Sequence, residues 1–91
     1  MSHNYAELLS SVKKILDDFD PLGLLKQGAP QNEYDEEIEK IVAGLPKCKS
    51  ARDAEKLIHR VFTEAFGDNT AGDESAYSKI AALLFKIIDT G

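Results

Sequence analysis

The chain has no tryptophan and a single cysteine, Cys48. One thiol cannot close an intrachain disulfide, so the fold must be held by a packed core. No apolar run approaches the roughly 18–20 residues that span a bilayer. The opening stretch, MSHNYAELLSSVKK, lacks a basic start followed by an apolar segment, so no secretory signal is read there. With the lone thiol, this predicts a cytoplasmic, reducing setting. His3 and His59 are the only histidines, and neither has a partner at the spacing of a helical metal pair. There is no Walker loop, no Gly-x-Ser-x-Gly elbow and no dinucleotide glycine motif. The segment from Asp68 to Lys79 fails as a calcium loop, because its third, fifth and twelfth positions are Thr70, Gly72 and Lys79. No catalytic residue, metal or cofactor is expected.

What is present is helical patterning over 91 residues, the length of one domain. Four segments repeat apolar residues at the helical period. The first covers residues 4 to 19, with Tyr5, Leu8, Leu9, Val12, Ile15, Leu16 and Phe19 on one stripe, and Ser2 or Asn4 as its cap. It ends at Asp20-Pro21, since a residue before proline is pushed out of the helical region. The second covers 34 to 45, with Tyr34, Ile38, Ile41, Val42 and Leu45, started by Asn32 or Asp35 and stopped by Gly44 and Pro46. The third covers 51 to 66, opened by Ser50 and Asp53 as a capping box and closed by Gly67. The fourth covers 73 to 89 and is the most apolar, so it is expected to be the most enclosed. No segment alternates with the period of a strand. The predicted fold is an all-α bundle of four helices, residues 1 to 91, with one short extra helical turn near 21 to 26. That turn, capped by Asp20 and started by Pro21, would fold Leu22, Leu24 and Leu25 over one end of the bundle.

Charge is divided unevenly. Between residues 17 and 39 there are eight acids (Asp17, Asp18, Asp20, Glu33, Asp35, Glu36, Glu37, Glu39) and one base, Lys26, which makes the segment −7; the remainder has eight acids and ten bases, +2. Direct binding to nucleic acid needs a basic face, so the acidic segment argues against it. Such a segment is either a solvated surface or a face that steers a basic protein partner. Bases gather from Lys40 to Arg60, without exposed aromatics for stacking, and pairing within the helix accounts for them. Cys48, between Lys47 and Lys49 and ahead of a helix start, is expected to have a lowered thiol pKa. A catalytic role would need a base, and only His59 is available.

The order Phe19-Asp20-Pro21-Leu22-Gly23, then Glu33-Tyr34-Asp35, then Ile38 and Ile41 resembles a group of small bacterial helical domains of unknown function. Many of those have tryptophan where this chain has Phe19. The set is also similar to immunity proteins that accompany secreted or contact-dependent toxins. The resemblance spans about residues 5 to 45. It implies a helical fold and, through the immunity likeness, a protein that neutralises a toxin domain, a basic nuclease in the leading reading. It brings no catalytic residues. The residues expected to bind such a partner are Asp17, Asp18, Asp20, Glu33, Tyr34, Asp35, Glu36, Glu37 and Glu39, with Tyr34 an aromatic anchor on condition that it is not wholly buried. The competing reading of Asp20, Pro21, Gly23 and Tyr34 is structural: a turn capped, set, relieved and packed. The competing function is a regulatory or structural module without a toxin partner, dimerising through the wide stripe at Leu83 and Phe85.

Overall fold

A computed structural model of the chain describes residues 5–20, 22–23, 26–28 and 34–90. Its elements are all helical, and no strand occurs among the described residues. Helix α1 is Tyr5–Phe19, α2 is Asp35–Gly44, α3 is Ala51–Phe66, α4 is Asp68–Ala71 and α5 is Ser78–Thr90. One 3₁₀ turn, Leu45–Lys47, follows α2, and another, Glu74–Tyr77, leads into α5. The expected all-α bundle with four principal helices is therefore what the chain forms. The capping residues Ser2, Asn4 and Asn32, and Pro21, Leu24 and Leu25 of the expected helical turn, lie outside the described residues.

The central helix is α3, not α5. It packs most extensively on α5 and also meets α2 and α4. Ala54, Leu57, Ile58, Val61 and Phe62 are buried along it, whereas Leu83 on α5 is 42% exposed. High apolar content thus misplaced the most enclosed helix, because α5 has α3 on one side and an open groove near its C-terminal end. The α3 boundaries follow their local chemistry. Ser50 Oγ accepts the Asp53 N–H at 3.2 Å, and the Asp53 carboxylate reaches back to the Lys49 N–H at 2.9 Å. Gly67 stops the helix at φ +89°, a conformation that L side chains rarely adopt.

In α1 the buried line is Leu8, Val12 and Leu16, continued by Asp20. Tyr5 and Phe19, read as part of the stripe, are 57% and 41% exposed. They are the first and last residues of a 15-residue helix whose neighbours α2 and α5 are both shorter, 10 and 13 residues. Helix α2 starts without the expected side-chain cap: Tyr34 stands at the N-cap and makes no capping hydrogen bond, and Asp35 is the first helical residue. At its far end, the backbone of α2 comes close to α3. A Cβ on Gly44 would sit 2.9 Å from a Leu57 methyl carbon.

Two connections are tied down by tyrosines. Tyr34 is fully buried; its hydroxyl donates to Asp20 Oδ1 at 2.6 Å and accepts the Leu22 N–H at 3.3 Å. Tyr77, also buried, donates to the Ala71 carbonyl at 2.5 Å. Both rings rest on Phe62, Tyr34 edge-on at 5.8 Å and Tyr77 stacked at 5.5 Å. The second connection, which follows α3, contains α4 between Gly67 and Gly72, each with positive φ.

Candidate functional site: the acidic seam of α1 and α2

The acids between residues 17 and 39 do not share one surface. Asp20 and Glu37 are buried, 7% and 6% exposed, and Tyr34 is 0% exposed. All three leave the partner-binding set, and Tyr34 cannot be a surface anchor. Glu33 lies outside the described residues. The reason for Asp20 is geometric. It ends α1 with φ +46°, and that left-handed turn points the carboxylate inward. There Oδ1 takes the Tyr34 hydroxyl, while Oδ2 takes the Lys26 N–H at 3.0 Å. Asp20 therefore reaches a backbone N–H six residues on. Hydrogen bonds from the Gly23 N–H to the Asp20 carbonyl and from the Gln27 N–H to the Gly23 carbonyl continue the turn. Leu22 packs on the core from this loop, as the expected lid requires.

Five carboxylates remain outside the core: Asp18, Glu36 and Glu39 are exposed, and Asp17 and Asp35 are half-buried, with Asp17 Oδ1 turned inward. The seam between α1 and α2 brings Asp17 and Asp35 together across Lys13, whose Nζ lies 3.3 Å from one and 2.7 Å from the other. The Lys13 ammonium is held above its ordinary value, chiefly by the hydrogen bond to Asp35, with burial opposing and Asp17 adding. Glu39 stands one helical turn beyond Asp35, and Glu36 beside it. Asp18, Glu36 and Glu39 are exposed and make no ion pair among the described residues.

The other candidates resolve differently. The Cys48 thiol is pushed up, not down: partial burial is the main cause, Asp53 adds to it, and Arg60 opposes. The two flanking lysines do not set its behaviour. His59 places Nε2 2.9 Å from the Gly72 carbonyl and its ring 5.9 Å from Tyr77, so it braces the α4 connection. Among the described residues no group of three or more His, Cys, Asp or Glu is placed to hold a metal ion, and no helix is long and apolar enough to cross a membrane. The signal for the buried acids was in the spacing. Asp20 continues the four-residue line of Leu8, Val12 and Leu16, and Glu37 sits between Tyr34 and Ile41 on the apolar face of α2. Comparison with protein-family models, with curated proteins and with solved structures gave no match to this chain.

Proposed function

We propose that the chain is an immunity-type binding protein that neutralises a basic toxin domain, a nuclease in the leading case, through Asp17, Asp18, Asp35, Glu36 and Glu39. The observation behind this reading is the seam itself. Five carboxylates outside the core lie on two adjacent helices, and only Lys13 is bonded among them. A nuclease site is basic because it holds phosphates. A carboxylate array of this kind steers toward such a site and excludes acidic partners. Asp17 and Asp35 are held by Lys13, and the exposed trio of Asp18, Glu36 and Glu39 carries the charge that a partner meets first.

The test is to co-express the chain with its gene neighbours, capture it at moderate salt, and assay any stoichiometric basic partner for toxicity when made alone. The triple substitution Asp18→Lys, Glu36→Lys and Glu39→Lys is expected to keep helical content and to lower the association rate by roughly 10-fold or more at low salt. It should also abolish protection. Equal protection by the triple variant, or the absence of any toxic basic partner, overturns the reading.

A homodimer is the second reading, favoured by a groove of about 480 Å³ floored by Leu8, Pro46, Phe85 and Ile88, with Lys49 and Asp89 among its lining residues. Opposite charges beside one apolar floor suit a two-fold contact in which each pairs with its counterpart on the second copy. Sedimentation at a single chain mass across micromolar concentrations would remove it.

A further inference from the structure

A second cleft, of about 380 Å³, lies where the end of α2 meets the flank of α3. Lys47, Lys56 and Arg60 line it, with Asp53, Cys48 and Gly44. Asp53, Lys56 and Arg60 recur at intervals of three and four, so they occupy one flank of α3. Lys56 and Arg60 are like charges four apart, an arrangement that disfavours a helix unless something neutralises it. Nothing in the described fold does. Arg52, on the same helix, has Glu55 at 3.8 Å and Glu74 at 3.4 Å, whereas Lys47, Lys56 and Arg60 have no ion-pair partner among the described residues. The single lining carboxylate, Asp53, is bonded through Oδ2 to the Lys49 N–H. Three cations and one anion leave the lining at +2.

We propose that this cleft binds a phosphate-type dianion, either free or carried as a monoester. A phosphoryl group at neutral pH brings about −1.5 to −2 charge and three acceptor oxygens. Arg60 supplies a planar fork that matches two of those oxygens, and the two lysines supply point charges. A carboxylate would neutralise only half of the lining. Leu57, packed against Gly44, gives the cleft an apolar wall, and the Cys48 thiol sits beside it, 3.8 Å from the Gly44 carbonyl. The site lies apart from the acidic seam and stands or falls independently of the immunity reading.

The test is a titration of the whole chain with inorganic phosphate, and separately with phosphoserine, at ionic strength held constant with sodium chloride. Backbone amide shifts are read by NMR. Saturable shifts confined to the 44–60 region are expected, together with slower alkylation of Cys48 by iodoacetamide as the site fills. The double variant Lys56→Gln, Arg60→Gln should weaken binding about tenfold or more, through lost charge-assisted hydrogen bonds, and should free Cys48 from the effect. Arg60→Lys should recover only part of the loss. Saturation by phosphate alone makes the bare anion sufficient; saturation only by phosphoserine makes the monoester the ligand. Shifts that never saturate with either probe, that chloride reproduces, or that survive in the double variant overturn the proposal.

Discussion

Replacing Tyr34 by phenylalanine removes one oxygen and leaves the ring on Phe62. That oxygen donates to a buried carboxylate at 2.6 Å and accepts the Leu22 N–H at 3.3 Å. A hydrogen bond to a charged group contributes about 1.5–3 kcal/mol, and the longer neutral one adds about 0.5 kcal/mol. The Lys26 N–H still reaches Asp20 Oδ2, which limits the damage. A loss of about 2 kcal/mol is expected, against a total of roughly 5–15 kcal/mol for a domain, so the variant folds. The midpoint of urea unfolding, followed by helical circular dichroism, should fall without a change in slope. Asp20→Asn should also destabilise: asparagine tolerates the left-handed backbone and keeps one oxygen for the phenol, but its amide N–H then faces the Lys26 N–H that Oδ2 accepts. The two changes together should cost measurably less than their sum, since each alters the same Tyr34–Asp20 hydrogen bond, one by removing its donor and the other by removing the acceptor's charge. If Tyr34→Phe lies within about 0.5 kcal/mol of the parent, the carboxylate is solvated and the account of Asp20 as a buried anchor fails.

Alkaline pH gives a second check. Burial holds the Tyr77 phenol above its ordinary 10.0, and its bond to Asp35 leads in raising Lys13 above 10.5. Both groups keep their protons longer in the folded chain. Their contribution is complete below those values and is lost as pH rises through the folded ones. Stability should therefore fall from about pH 10 upward, and Tyr77→Phe should make the fall shallower. Iodoacetamide should alkylate native Cys48 with an inflection at higher pH than the urea-unfolded chain, because burial opposes the thiolate; an inflection at or below the unfolded value refutes this. Gly67→Ala meets nothing within 4 Å yet must adopt φ +89°, so a loss of about 1–3 kcal/mol by urea titration is expected from backbone strain alone. A neutral result would show that the α3–α4 junction relaxes to another conformation.

Helix α3 was readable to its ends because cap, stripe and stop agree: Ser50 with Asp53, Ala54 to Phe62, then Gly67. The ends of α1 were not, since periodicity names a face and not how far the neighbouring helix extends along it. That is why Tyr5 and Phe19 were assigned to the core and lie partly in water. Composition marked residues 17 to 39 as an acidic surface, but Asp20 is held by a tyrosine fourteen positions away, a contact that no local pattern encodes. The structural reading of that aspartate, proline, glycine and tyrosine fits Asp20 and Tyr34, and burial removes Asp20, Tyr34 and Glu37 from the surface that the partner-binding reading assumed. Helix α4 is one turn long, too short for periodicity, and only the paired glycines around it signalled a built corner.

Phe62 has a consequence for how the molecule breathes. One ring supports both phenols, so the connection after α1 and the connection after α3 share a hinge pin although the whole of α2 and α3 lies between them in the chain. Opening either should loosen the other. In hydrogen exchange, the Lys26 amide bonded to Asp20 should then lose protection together with the Ala71 and Gly72 amides bonded within α4. Phe62→Leu should accelerate all three alike while the middle of α1 exchanges as before, which would make the two loops one cooperative unit rather than two independent ones.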